Sequence, residues 1–106
     1  MIFETLIESA ERGELMLVDG GMCHWHLRRD GQLTVREIIV TPERRGQGVG
    51  MAMLAQLKTV PGALSVYAKC PADLSANGWY AREGFECEGV EITKTGREMN
   101  LWRLRL

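Results

Sequence analysis

The sequence predicts an α/β fold: a mixed, largely antiparallel sheet with helices packed on it, in the order αβββαβαββ. Three observations predict it. Runs rich in β-branched residues recur at strand length between glycine turns. The first three runs are joined by short hairpin turns, whereas the later ones alternate with apolar helical patterns. The third run, LTVREIIV at 33–40, feeds directly through a glycine-rich turn into a helix.

The elements follow in order. Residues 2–12 place Ile2, Phe3, Leu6, Ile7 and Ala10 at helical spacing, and Gly13 is a natural stop. Glu14 to Asp19 is a short apolar strand that turns at Asp19-Gly20-Gly21. Met22 to Arg29 is the second strand, and Asp30-Gly31 turns it into the third, 33–40. A helix starts at Gly46 or Gln47 and runs to Lys58, with Val49, Met51, Leu54, Ala55 and Leu57 as its apolar surface. Pro61-Gly62 breaks the chain before a strand from Leu64 to Lys69. A second helix covers about Leu74 to Arg82 and ends at Gly84. Strands from Phe85 to about Ile92 and from Met99 to Leu104 flank a turn at Lys94-Thr95-Gly96. There is no internal repeat or linker, so residues 1–106 read as one domain.

The chemistry concentrates in Val40-Thr41-Pro42-Glu43-Arg44-Arg45-Gly46-Gln47-Gly48-Val49-Gly50. Glycine lets a backbone turn tightly and approach a ligand. A helix N-terminus adds free N–H groups and partial positive charge. Together they form an anion cradle suited to a pyrophosphate. No Gly-Lys-Ser/Thr ending follows, so this is not a P-loop. The spacing G-x-G-x-G also departs from the dinucleotide fingerprint.

Val40, Pro42, Arg45, Gly48 and Gly50 form the string Val-x-Pro-x-x-Arg-x-x-Gly-x-Gly. This resembles the acetyl-CoA motif of the GCN5-related N-acetyltransferases (GNAT). A second match lies downstream, where Ala76, Tyr80, Gly84 and Phe85 align with that family's later motif, Asn-x-x-Ala-x-x-Phe-Tyr-x-x-x-Gly-Phe. Trp79 replaces its Phe. Asp73 replaces its first Asn; it keeps the ability to cap a helix but loses the amide contact to cofactor. Asn77, three residues before Tyr80, matches an Asn-x-x-Tyr variant. The resemblance covers roughly residues 14–90, and the acceptor-binding front is abbreviated relative to the family.

The resemblance implies the acyl-CoA N-acyltransferase fold, with acetyl-CoA as acyl donor and an amine as acceptor. It implies direct transfer in a ternary complex, with no covalent enzyme intermediate. The pantetheine arm would lie between the strands 33–40 and 64–69. N–H groups near Ile39 and Val40 would meet the thioester, and those of Arg45, Gly46, Gln47, Gly48, Val49 and Gly50 the pyrophosphate. Asn77 would be a further cofactor contact. Tyr80 becomes the candidate general acid for the departing thiolate, a phenol of reference pKa about 10; its alternative is a packing residue. Glu37 becomes the candidate base, directly or through water. In strict alternation it shares a face with Leu33, Val35 and Ile39, an acid among apolar neighbours. Its alternative is an ion-pair partner of Arg36 or another arginine.

Other residues stay open between site and scaffold. His24 and His26 share a strand face opposite Trp25; they lack a third metal ligand in the sequence, and His26 could relay protons. Arg97 and Trp102, in Gly96-Arg97-Glu98-Met99-Asn100-Leu101-Trp102, either line the acceptor site or form a hairpin tip and a core residue. Cys23, Cys70 and Cys87 form no CxxC motif and read as packing residues, with Cys70 near the thioester.

Composition sets the outer bounds. Hydrophobic content is 45% and charged content 25%, ordinary for a globular domain. A net charge of −1 supplies no basic field for nucleic acid and no polybasic membrane patch. The acidic N-terminal pattern is unlike a signal or transit peptide, and no apolar run reaches spanning length. Unpaired cysteines then suggest a reducing, cytoplasmic setting. No metal is expected. The abbreviated front predicts apolar surface left uncovered, and with it a homodimer. Against the enzyme stands a non-catalytic acyl-CoA-binding or sensing module. A nucleotide-phosphate domain is a third reading, disfavoured by the missing lysine.

Overall fold

The computed structural model describes Glu4, Ile7 and residues 12–106. Glu4 and Ile7 are helical; the rest of the helix expected over 2–12 lies outside the described residues. Six strands form one mixed sheet: β1 (Leu15–Val18), β2 (Gly21–Leu27), β3 (Gln32–Val40), β4 (Ser65–Pro71), β5 (Glu86–Ile92) and β6 (Glu98–Arg105). Among residues 12–106 two helices pack on it, α1 (Val49–Leu57) and α2 (Ala76–Arg82), and a short 3-10 turn spans Pro42–Arg44. Spatial order is β1-β2-β3-β4-β6-β5, with β3 and β4 the parallel pair and every other pairing antiparallel. The expected fold class and element order hold across the described residues.

The core lies on the sheet face that carries both helices. Leu33 and Val35 of β3, Val66, Ala68 and Cys70 of β4, and Trp102 of β6 meet Met53, Leu54 and Leu57 of α1 and Tyr80 of α2. Burying side chains of this kind contributes about 1.5–3 kcal/mol each. Helix α1 starts later than its apolar pattern suggests. Gly46 and Gly48 hold left-handed φ values of 75° and 84°, so a right-handed helix begins only at Val49, with Gly48 as its cap. Helix α2 likewise begins at Ala76. Asp73 does not cap it; its carboxylate pairs instead with Arg97 at 3.6 Å.

Two features of β3 shape everything that follows. The first is a bulge. His24 lies opposite Glu37 while Trp25 lies opposite Val35, so Arg36 is an extra residue. Strict alternation therefore fails. Ile38 and Val40 join Leu33 and Val35 at the core, and Glu37 and Ile39 turn to the other face. The second is a splay. β3 pairs with β4 only over Gln32–Val35 against Ser65–Ala68. Beyond that, Arg36–Val40 and Lys69–Pro71 diverge.

On the closed side of the splay, Arg103 of β6 spans the sheet. Its guanidinium donates to Ser65 Oγ at 3.2 Å, to Gln32 Oε1 at 3.1 Å, and to both carboxylate oxygens of Glu88 at 2.9 and 3.0 Å. It also lies 4.8 Å over the Tyr67 ring. One cation thereby joins β3, β4, β5 and β6.

Candidate active site

The diverging strands open a groove of about 890 Å³. Its walls are β3 from Val35 to Val40, β4 from Lys69 to Pro71, the Arg44–Met51 loop and helix start, and one side of α2. Thr41 N–H donates to Gly20 O at 2.8 Å, toward the β2 side. Alternation along the strand then turns the N–H groups of Val40 and Ile38 toward the open groove. That of Ile39 turns toward β2. Ile38, unnoticed in the sequence, and Val40 are thus oriented to present backbone donors to the groove, while Ile39 lines it with its N–H turned away. An odd bulge upstream could have signalled this, but a bulge leaves no composition mark of its own.

At the wide end the loop and the start of α1 face the groove. Gly46, Gly48, Val49 and Gly50 line it, with Arg44 and Arg45 beside them. The first turn of α1 contains no acid, so its free N–H groups and partial positive charge are uncompensated by side chains. A Cβ built on Gly46 or Gly48 meets nothing within 4 Å, which leaves open space for a ligand. A Cβ on Gly50 would sit 3.2 Å from Trp79 Cζ2, so that glycine lets α1 and α2 approach. The arginines are braced: Arg44 donates to Asp19 at 2.6 Å and to Gln47 Oε1 at 3.2 Å, and Arg45 to Val40 O at 3.3 Å. Gln47 directs its side chain into the loop, donating to Glu43 O at 2.9 Å. Arg82 of α2 is a groove-lining cation that motif reading passed over.

Tyr80 and Glu37 also line the groove. Tyr80 is buried, with its ring stacked on Trp102 at 6.1 Å and edge-on to Trp79 and Phe85 at 5.1 Å each. Every fully buried polar side-chain atom among the described residues has a partner, and none is formed by the Tyr80 hydroxyl, so that oxygen opens onto the groove. Burial pushes its phenol above the usual tyrosine range, with smaller contributions from Cys70 and Cys23. It stays protonated at any working pH. Glu37 is half-buried, lines the groove, and faces away from the core.

The remaining candidates are scaffold. Asn77 commits its amide to the fold. Its amide is consumed by Pro71 O, Leu74 O, Ala72 O, Asn100 and Trp102, because the turn into α2 folds around it. Trp102 is core, and Arg97 sits at the hairpin end paired with Asp73. His26 Nδ1 lies 2.5 Å from the Glu14 carboxylate, and His24 is buried. Among the described residues no group of three His, Cys, Asp or Glu side chains could hold a metal ion. Cys23 and Cys70 are buried; burial pushes the Cys23 thiol up to about 12 and raises that of Cys70, which lines the groove. Cys87, expected to pack, is exposed on the edge strand β5. No helix among the described residues is long and apolar enough to cross a membrane.

Comparison with known proteins follows the same outline. The sequence model of the acetyltransferase (GNAT) domain matches residues 6–87. No curated protein matches. Among solved structures, a protein assigned to the GNAT acetyltransferases from Desulfovibrio desulfuricans is similar at TM-score 0.71 and 23% identity, over 81% of this chain and 61% of that one. A ribosomal-protein alanine N-acetyltransferase from Escherichia coli is similar at TM-score 0.70 and 20% identity, over 96% and 76%. Arabidopsis thaliana NAA60, solved in complex with acetyl-CoA, is similar at TM-score 0.68 and 15% identity, over 82% and 66%. This chain spans about three fifths of the length of the first of these.

Proposed function

The chain belongs to the GNAT acetyltransferase family, and from that premise we propose that it moves an acetyl group from acetyl-CoA to a primary amine by direct attack in a ternary complex. The observation that carries this reading is the splay between β3 and β4. It is a strand-lined slot that ends at an acid-free helix N-terminus. A pantetheine arm fits the slot, and a pyrophosphate fits the N–H groups of Arg45–Gly50.

In this reading the amine nitrogen attacks the thioester carbonyl carbon. Backbone N–H groups of Ile38 and Val40 stabilise the charge that develops on its oxygen. Glu37, directly or through a water, takes the proton from the nitrogen. The C–S bond breaks and the thiolate takes the Tyr80 proton. Burial keeps the phenol protonated, so the proton is in place, but it also makes the phenol a weaker acid than a free tyrosine, so the assignment rests on its placement at the groove and not on its acidity.

The test is calorimetric binding of CoA followed by CoA release from acetyl-CoA against a panel of amines: peptide N-termini, lysine peptides, polyamines, aminoglycosides and free amino acids. Binding with transfer to one of them supports the enzyme. Binding without turnover favours the rival, an acyl-CoA-binding or sensing module. Glu37→Gln should lower kcat by about ten-fold or more while leaving CoA affinity in place. A rate equal to that of the parent would return Glu37 to the role of an ordinary groove residue.

Self-association is expected as well. Leu17 and Ile39 are 71% and 50% exposed on one sheet face, and Val90 and Ile92 are exposed on edge strand β5. Apolar surface of this kind marks interfaces. Light scattering should report a dimer at tens of micromolar, roughly the standard assay range; a strict monomer there argues against it.

A further inference from the structure

Asn77 makes more side-chain hydrogen bonds than a cofactor ligand could spare. Its Nδ2 donates to the carbonyls of Leu74 at 2.7 Å, Pro71 at 2.9 Å and Ala72 at 3.3 Å. Its Oδ1 accepts from the Trp102 indole N–H at 2.9 Å and from the Asn100 amide at 3.0 Å. One side chain in the first turn of α2 therefore ties the β4–α2 turn to strand β6. Both tied parts touch the site. The turn supplies Pro71 and Leu74 to the groove wall. Strand β6 supplies Trp102, whose ring lies 6.1 Å from that of Tyr80 at an angle of 16°. Tyr80 itself is three residues beyond Asn77, on the same side of the helix. Trp79 and Phe85 also touch the Tyr80 ring, but neither belongs to β6 or to the β4–α2 turn.

We propose that Asn77 is the positioning residue of this site, holding the Tyr80 hydroxyl at the groove wall through Trp102 and the Pro71–Leu74 turn. The inference rests on the reading of Tyr80 as the proton donor. The chemistry selects an amide. The side-chain NH2 supplies two hydrogens shared among three carbonyls, and the amide oxygen accepts from two N–H groups; only Asn and Gln combine an NH2 with a carbonyl oxygen. A carboxylate of the same shape would set its oxygens against three carbonyl oxygens. An apolar side chain would leave all five partners without it. A proton donor misplaced by a fraction of an ångström loses its alignment with the sulfur, and such errors are expensive in rate.

The chain has two tyrosines, so Tyr67→Phe leaves Tyr80 as the only phenol to titrate. Into that parent go Asn77→Asp and, separately, Trp102→Phe, which keeps an aromatic ring and loses the N–H donor. Phenolate absorbance is followed against pH. Cys70 of β4 and Cys23 of β2 are the titratable groups that face the phenol. CoA affinity is measured by calorimetry, and CoA release from acetyl-CoA with hydroxylamine as the probe amine. In both variants the phenol should titrate at least about one pH unit lower than in the parent, because it gains solvent. The rate should fall about ten-fold with CoA affinity within about two-fold. Folded variants in which neither titration nor rate moves overturn the inference. If Asn77→Asp does not fold, Trp102→Phe decides; if neither folds, the clasp serves stability alone and the inference is equally overturned. A parent that binds no CoA sinks the proposed function instead, and a fully active Tyr80→Phe sinks the proton-donor role on which the inference rests, while the titration still reports whether Asn77 places the phenol.

Discussion

Tyr80→Phe is expected to lower kcat by about ten-fold to a thousand-fold, the usual worth of a placed general acid. CoA affinity should hardly change, and a loss in kcat without a loss in binding marks a transition-state role. The structure makes this substitution unusually clean. The ring keeps its stack on Trp102 and its edge contacts to Trp79 and Phe85, since phenylalanine fills the same space. The hydroxyl makes no hydrogen bond among the described residues, so its removal orphans no partner. The stability change should stay below about 1 kcal/mol. Stopped-flow turnover beside a thermal melt measures both. A stable variant with full activity on a true acceptor would make Tyr80 a packing residue and leave the thiolate to water.

Gly48→Val with Gly50→Val should abolish CoA binding. The two substitutions act differently. Gly48 holds a φ of 84°, and a β-branched residue there carries strain of about 1–3 kcal/mol. Its Cβ would project into the open space proposed for the phosphates. At Gly50 the Cβ would press on Trp79 at 3.2 Å and push α2 from α1, which deforms the groove from its wall. Loss of the backbone cradle should weaken affinity by at least about a hundred-fold, or 2.7 kcal/mol. Calorimetry with CoA, on protein whose melting shows a folded state, decides. Unchanged affinity in a folded double variant would place the pyrophosphate elsewhere.

Much of this was legible before the structure. The strand, glycine turn and helix around Val40–Gly50 carry their chemistry in consecutive residues, and both helices and all six strands follow from periodicity and turn signals. What escaped depends on geometry that no single residue encodes. The bulge at Arg36 adds one residue to β3 and reverses every side chain after it, so Glu37 and Ile39 face away from Leu33 rather than with it. Asn77 sits in a motif position, yet its amide is spent on carbonyls of a turn and on a strand more than twenty residues away, a pairing visible only when the chain has closed. Helix α1 starts two or three residues later than its apolar spacing predicts, because that spacing reports the helical face and not the left-handed glycines before it.

The short seam between β3 and β4 also sets a mechanical scale. Strands β1–β3 and β4–β6 are two leaves fastened along four residue pairs, with Arg103 stitched across the fastened end. The free arm of β3, Arg36–Val40, is five residues long, or about 16 Å at the usual rise per residue. A rotation of about ten degrees at the seam would move the tip of that arm by about 3 Å, roughly the width of a water molecule. Leverage of this kind puts the stiffness of the mouth in the hands of Gln32, Ser65 and Arg103, which do not line the groove at all.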